Sequence, residues 1–401
     1  MYIDIFSELQ RAQSWSSAAE ASVIANALEQ AKVADRSNYG CWWSVEHHGA
    51  AEFSQSSTPE MFNVALAMVT ERIRIGHSGV LTPYAINHPI RVAERGAFVD
   101  LISGGRLEMG LARSSSSEWD TFGVPKELTQ PQFDELCAML PRMWSDGVFQ
   151  WESELIKVPP LNIIPKPRQK FPRLWCMGTS VEGAKAAGRL KLGFVGTTVL
   201  EPVKKTENLL KSYRQARLES PLHVDYPNDG FGLFTFVHCA ASIDEAIKNR
   251  AAESALWYVN RAPVFFKRPR ESLLSAIRAE GHAAGASWRQ SEPTAGAPAP
   301  ADPNDPHPVI RLLNRQFLGM ELDPVEAFEA LDAVDSVIIG DPARCAEKMA
   351  KFAGLGVDRL LCLQQFGFLG HEVVKESIRL IGDLVAPRLA VGHTAAAAVA
   401  G

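Results

Sequence analysis

Gly104-Gly105-Arg106-Leu107-Glu108-Met109-Gly110-Leu111-Ala112-Arg113-Ser114-Ser115-Ser116-Ser117 holds the pattern that decides the fold of this chain. Two glycines form a tight turn, and an alternating run with the period of a strand follows. The run stops at an arginine and four serines. A strand that carries its polar groups at its carboxyl end is the unit from which parallel α/β sheets build their sites. The same unit recurs on both sides of it. Short β-leaning runs occur at 2–6, 41–45, 73–81, 106–112, 174–178, 193–197, 231–239 and 357–363. The stretches between them have helical spacing, with one apolar stripe at Ile90, Ala93, Ala97 and Leu101 and another at Val374, Ile378, Ile381 and Val385. Pro89 and Pro342 stand where a proline is tolerated in the first turn of a helix.

Eight such strands with intervening helices predict an α/β protein with a parallel sheet. An open doubly wound sheet and a closed barrel both have that count. The GxGxxG turn of the doubly wound fold does not follow the first strand, and polar residues gather at the ends of several strands instead. The sequence therefore predicts a (β/α)8 TIM barrel with insertions, one domain over residues 1–389. A barrel of about 250 residues leaves roughly 150 for insertions and extra helices. Residues 151–173, rich in proline and β-branched side chains, read as an irregular excursion before a strand. Residues 281–308 are mostly Ala, Pro, Gly and acids and read as a mobile insertion, either a lid over the barrel mouth or a plain flexible loop. Residues 390–401 form an Ala-rich tail expected to be disordered.

Composition excludes some classes of function. The 401 residues carry 41 Lys+Arg against 46 Asp+Glu, a formal net charge of −5, which speaks against a protein that grips nucleic acid or anionic lipid. Six cysteines without CxxC spacing read as free thiols in a reducing compartment. No basic segment leads into an apolar run at the N-terminus, and no apolar stretch reaches membrane length. A cytoplasmic location without a membrane span is expected.

The candidate chemistry lies at the strand ends. Glu46-His47-His48 closes the second strand. Neighbouring strand residues point to opposite faces, so the two histidines are not expected to share the mouth, and a paired-histidine metal site is disfavoured. One of them is a candidate acid–base group, and loop histidines bonded to backbone are the plain alternative. His77-Ser78-Gly79 ends the third strand with small groups that permit close approach of a flat ligand, or simply a turn. Arg113 with Ser114, Ser115 and Ser116 suits an oxyanion such as phosphate, a serine-rich surface loop being the alternative. Gly178-Thr179-Ser180 runs from strand into helix, where a cap and free amides form a second anion site or only a cap. Two anion-suited ends in one barrel converge on one mouth. Trp42, Trp43, Phe53 and Trp119 are candidates for an apolar substrate pocket or for core packing.

Several of these stretches, in order, resemble the bacterial luciferase-like flavin-dependent monooxygenases. They are Trp43-Ser44-Val45-Glu46-His47-His48, Ile73-Arg74-Ile75-Gly76, His88-Pro89-Ile90-Arg91-Val92-Ala93-Glu94, and Gly105-Arg106-Leu107-Glu108-Met109-Gly110 with Arg113 and Phe122-Gly123. The ending, from Ile339-Gly340-Asp341-Pro342-Ala343 to Ala386-Pro387-Arg388-Leu389, resembles that family too, while residues 201–324 resemble it less. The resemblance implies a luciferase-like (β/α)8 barrel and a two-component monooxygenase. Such an enzyme uses reduced FMN from a separate flavin reductase and oxygenates a small or medium-sized organic substrate through a C4a-(hydro)peroxyflavin. It implies His47 as the catalytic histidine, with Glu46 orienting local hydrogen bonds. It also implies Ser78 and Gly79 against the isoalloxazine, with a non-proline cis peptide there. The flavin phosphate would be held by Arg113, Ser114, Ser115, Ser116, Gly178, Thr179 and Ser180. No metal is implied, and family members are commonly homodimers. A deazaflavin-dependent hydride-transfer oxidoreductase and a non-catalytic flavin-binding subunit are the alternatives within the same resemblance. Where luciferase's catalytic subunit has a carboxylate before the phosphate-binding serine, this chain has Cys176-Met177-Gly178, so light emission is not implied.

Overall fold

The computed structural model describes residues 1–11, 16–50, 52–145, 147–225, 227–279 and 301–389. The first half of the barrel is β1 (Tyr2–Ser7), β2 (Cys41–Ser44), β3 (Arg74–Leu81) and β4 (Leu107–Ala112). A hairpin of β5 (Phe149–Glu152) and β6 (Lys157–Leu161) interrupts it. The second half is β7 (Arg173–Met177), β8 (Gly193–Thr197), β9 (Phe231–Cys239) and β11 (Arg359–Leu363), with the three-residue β10 (Ile338–Gly340) before the last. All neighbours in the barrel are parallel. β11 pairs β1, with Tyr2 opposite Arg359, and β8 pairs β9, with Phe194 opposite Phe231, so the ring of eight closes. β10 adds to the last three residues of β9.

The helices that follow these strands are α1 (Ser17–Arg36), α2 (Pro59–Val69), α3 (Pro89–Ile102), α4 (Ser116–Phe122) and α5 (Thr129–Trp144) in the first half. In the second half come α6 (Val181–Arg189), α7 (Val203–Glu219), α8 (Ile243–Lys248), α9 (Ala251–Phe265), α10 (Arg270–Arg278), α11 (Pro308–Phe317), α12 (Pro324–Asp332), α13 (Pro342–Leu355) and α14 (His371–Leu380). The (β/α)8 barrel expected from the strand count is the fold observed, and each of the eight expected strands forms within two residues of its expected bounds. Both first-turn prolines open helices. His88 caps α3 through a hydrogen bond from the Ile90 amide, and Asp341 caps α13 through one from the Arg344 amide at 2.8 Å.

Two details differ from the expectation. Leu101 is 45% exposed, because α3 turns its Val92–Gly96–Val99 and Ala93–Ala97–Asp100 rows inward. The excursion at 151–173 contains the second half of a hairpin. Val158-Pro159-Pro160 hides it from a sequence reading, since proline is acceptable only on such an unpaired edge. The lid expectation falls largely outside the described residues, as does the tail expectation at 390–401. Of the stretch 281–308, residues 301–308 are described and tied down. Arg278 bonds Asp305, Asn314 donates to the Asp302 carbonyl at 2.7 Å, and Arg315 donates to the Pro303 carbonyl at 2.9 Å.

The amino-terminal end of the barrel is filled by a buried charged layer. Asp4 accepts from Trp43 Nε1 at 2.9 Å and from Arg359 Nη1 at 2.7 Å. Glu108 accepts from Trp175 Nε1 at 2.7 Å and from Arg74 Nε at 2.6 Å, and pairs with Arg173 at 2.9 Å. The two indoles meet edge to face, 5.7 Å between centroids. Gly76 and Gly193 make room for them, since a Cβ on either would lie 2.3–2.4 Å from an indole carbon. No helix among the described residues is long and apolar enough to cross a membrane.

Candidate active site

At the carboxyl ends of the strands the chain leaves β2 at Ser44 and delivers Glu46, His47 and His48 in three directions. His47 turns toward the barrel mouth. Its Nδ1 donates to Glu118 Oε1 at 3.0 Å, and its Nε2 lies 3.8 Å from Glu8 Oε2. His48 turns the other way, donating from Nε2 to Glu46 Oε1 at 3.2 Å, so the two histidines diverge as their adjacency in sequence suggested. Glu46 is buried and fully engaged. It also accepts from Asn87 Nδ2 at 2.8 Å and from the Leu81 amide at 3.0 Å, with His77 Nε2 3.6 Å away. Burial alone would raise its pKa, but the facing histidines and the amide outweigh burial and hold the carboxyl far below the usual range.

Glu118 went unnoticed in the sequence, yet it organises this corner. It sits in the first turn of α4, completely buried, where one oxygen takes His47 Nδ1 and the His48 amide. Its other oxygen takes Ser114 Oγ at 2.7 Å, the Ser115 amide at 3.1 Å and Ser115 Oγ at 3.0 Å. Burial pushes its pKa up, but His47, Ser114 and Ser115 more than offset that, so it is ionised. The Ser115-x-x-Glu118 spacing is that of a capping box, and this was the signal available in the sequence. Ser114 adopts a left-handed φ of 70°, which turns the chain from β4 into α4.

Around His47 stands an apolar collar that residues 201–324 supply in part. Phe265 at the end of α9 meets the imidazole edge to face at 4.9 Å, with Phe266 at 6.2 Å and Phe53 at 6.3 Å. Phe53 stacks on Phe265 and packs on Tyr258, whose hydroxyl donates to Glu8 at 3.0 Å. Of the four aromatic candidates, Phe53 stands against His47. Trp42 packs on Phe62, Trp43 belongs to the charged layer below, and Trp119 donates to the Arg113 carbonyl.

The floor beside this corner is made of small groups. The Ser78–Gly79 peptide is cis. A Cβ on Gly79 would lie 2.7 Å from Met177 Cγ and 2.9 Å from the Gly110 backbone, and one on Gly110 would lie 2.5 Å from the His77 carbonyl oxygen. Among the polar atoms at these strand ends that are buried without a hydrogen-bond partner among the described residues are Ser78 Oγ, Arg113 Nε and Thr198 Oγ1. Arg113 Nη2 donates to Thr129 Oγ1 at 3.0 Å. Burial lowers the pKa of its guanidinium, with the Asp134 carboxylate acting the other way. Ser180 caps α6 through the Gly183 amide at 3.2 Å, and Gly178 is tied to the Val195 carbonyl at 3.0 Å. The serine hydroxyls are committed elsewhere. Ser114 and Ser115 serve Glu118, and Ser116 donates to the Phe266 carbonyl at 3.3 Å, fastening α4 to the end of α9.

A family model described as luciferase-like monooxygenase matches residues 4–359. The oxygenase component of a flavin-dependent trigonelline monooxygenase from Acinetobacter baylyi is 30% identical over 152 residues, 37% of this chain and 41% of that protein. The chain spans about two fifths to two thirds of the length of such curated relatives. Two solved structures share the fold over 97% of the chain. The oxygenating constituent of 3,6-diketocamphane monooxygenase from Pseudomonas putida, in complex with FMN, has a TM-score of 0.67 at 17% identity and is covered over 98% of its length. An F420-dependent secondary alcohol dehydrogenase has a TM-score of 0.66 at 13% identity, with 98% covered. With the family model matched across nearly the whole barrel, the chain belongs to the luciferase-like monooxygenase family of enzymes.

Proposed function

We propose that this chain is the oxygenase of a two-component system, taking reduced FMN from a separate flavin reductase and using it with O2 to oxygenate a small or medium-sized organic substrate. The observation that carries the reading is His47, held by a buried carboxylate inside an aromatic collar and beside a floor that admits a flat ring. The residues present fit a phosphorylated flavin. Gly79 and Gly110 keep the floor free of side chains, and Ser78 Oγ, Arg113 Nε and Thr198 Oγ1 are buried donors without a hydrogen-bond partner among the described residues. Leaving such donors unmade costs about 1–3 kcal/mol each, which a bound ligand recovers.

In this reading Ser78 and Gly79 lie against the ring system, and Arg113 with Gly178, Thr179 and Ser180 holds the phosphate. Ser114, Ser115 and Ser116 frame the phosphate loop, contributing main chain while their hydroxyls stay on Glu118 and Phe266. When bound, reduced FMN supplies the activation of dioxygen, chemistry that no side chain here performs. His47 receives or delivers the proton at the reacting centre through Nε2. Glu46 holds His48 and the β3 end in place, and Phe53, Phe265 and Phe266 keep bulk water from His47. A lid at 281–308, a homodimer and a cytoplasmic location belong to the same proposal and rest on the sequence and the resemblance.

The test is anaerobic titration with reduced FMN, followed by mixing with oxygen and a panel of aldehydes, ketones and aromatics. Tight FMN binding with substrate-dependent oxygen incorporation supports the reading. Tight binding of a reduced deazaflavin with hydride transfer and no oxygen incorporation overturns it in favour of a dehydrogenase. Flavin binding without turnover on any of the panel while a partner chain co-purifies points to a non-catalytic subunit.

A further inference from the structure

We propose that Glu118 is the positioning residue for His47. Its carboxylate fixes the imidazole as the Nδ1–H tautomer and leaves Nε2 as the nitrogen that exchanges protons at the barrel mouth. This rests on His47 being the acid–base group, and adds a residue that neither the motifs nor the family likeness pointed to.

The chemistry follows from what faces each ring nitrogen. An ionised carboxylate only accepts hydrogen bonds, so the ring atom 3.0 Å from Glu118 Oε1 must carry the proton. Glu118 is ionised because His47, two serine hydroxyls and two main-chain amides compensate its complete burial. The ring is also held in plane. Phe265, Phe53 and Phe266 contact it edge on, which obstructs the flip that would exchange the two nitrogens. Nε2 is therefore the basic lone pair of the neutral ring. Glu8 Oε2, 3.8 Å away, is beyond hydrogen-bond length but within ion-pair reach, so it favours the imidazolium once a proton arrives. An orienting carboxylate on one nitrogen and a working lone pair on the other is the arrangement by which a histidine is tuned as a general base.

A purely structural role would not require this burial. Asp323 caps α12 with two backbone amides from a carboxylate left in solvent. Glu118 could cap α4 in the same way. It is instead driven inside, under a histidine, with two serines spent on neutralising the cost. That use accounts for Ser114 and Ser115 being turned away from solvent toward the carboxylate.

Glu118→Gln keeps the shape and still accepts from the Ser115 amide, but presents an NH2 to His47 and so favours the opposite tautomer. The ring 15N shifts of His47, measured in the protein without flavin, should show a protonated Nδ1 in the wild type and a protonated Nε2 in the variant. Turnover in Glu118→Gln should fall roughly 100-fold or more, with reduced-FMN affinity changed by less than about threefold. In a His47→Ala background the same substitution should add no further loss. An unchanged 15N pattern in the variant overturns the proposal, as does an equal further loss in the His47→Ala background. If Glu118→Gln does not fold, a wild-type ring protonated at Nε2 alone overturns it. Full turnover in His47→Ala would refute the acid–base reading instead, and the 15N shifts would still decide the role of Glu118 at the ring.

Discussion

Arg359→Met removes the cation that joins the two buried acids at the closed end of the barrel. Glu108 retains Arg74, Arg173 and the Trp175 indole. Asp4 loses most of its compensation: among the described residues Oδ2 keeps only the Trp43 indole, and Oδ1 has no hydrogen-bond partner to begin with. In the intact layer burial already raises the Asp4 pKa against the pull of Arg359, whereas the arginines and the indole hold Glu108 low despite burial. The penalty therefore falls on Asp4. Breaking a buried pair from one side costs about 3–5 kcal/mol. Unfolding entropy of about 2.1 cal/mol/K per residue over 401 residues converts that into a fall in Tm of about 4–6 °C. The sign with pH is fixed too. An acid whose folded pKa is raised destabilises the fold above that pKa and ceases to do so as pH falls through it, so the deficit should shrink as the pH is lowered. Scanning calorimetry of wild type, Arg359→Met and Asp4→Asn/Arg359→Met checks this. The double variant should regain most of the loss, and turnover below the transition should be unchanged in all three. A Tm within 1 °C of wild type for Arg359→Met, or a double variant no better than the single, would refute the account of the layer.

The other predictions concern the mouth. Arg113→Ala should weaken FMN binding by roughly 10- to 100-fold, the worth of a charge-assisted bond to phosphate, while riboflavin affinity barely moves; equal losses in fluorescence titrations would remove Arg113 from the phosphate site. Gly110→Ala puts a methyl 2.5 Å from the His77 carbonyl oxygen and 2.7 Å from Met177 Sδ, so it should cost about 1–3 kcal/mol in urea denaturation and impair flavin binding more than any other property. Glu46 and Glu118 both have lowered folded pKa values. Their contribution is present above the unfolded carboxylate range near about 4.3 and is lost as pH falls through the folded values, so Glu118→Gln should flatten the acid limb of the stability curve.

The barrel was legible because each of its eight strands is a local pattern that repeats, and the Glu46-His47-His48 corner because its residues are adjacent. What the sequence hid was assembled across the fold. Glu8, His47 and Glu118 follow β1, β2 and β4, and only the side-by-side pairing of β1 to β4 brings the two carboxylates within 4 Å of the His47 ring. Phe265 and Phe266 arrive from a helix more than two hundred residues after His47, with no periodic signal marking them as its neighbours. Glu118 was masked differently. A run of four serines invites reading as an oxyanion loop, and the acid that two of them bond lies just past its end. Leu101 was misplaced because four apolar residues at helical spacing fit two adjacent faces, and packing on the barrel selected the one that buries Gly96 and Asp100.

All six cysteines lie inside the fold. Burial holds the thiols of Cys41, Cys137 and Cys362 protonated well above their ordinary range and pushes Cys176 up to about 12, while Cys345 is raised by its neighbour Cys239 and by burial. The thiolate is the form that oxidants attack. Under the proposed function, hydrogen peroxide released when oxygen activation outruns the substrate would be an oxidant made at the protein itself, and these five thiols stay in the unreactive protonated form as long as the chain stays folded. Oxidation of these thiols then becomes a cumulative record of unfolding events under turnover, readable by counting alkylatable thiols over time.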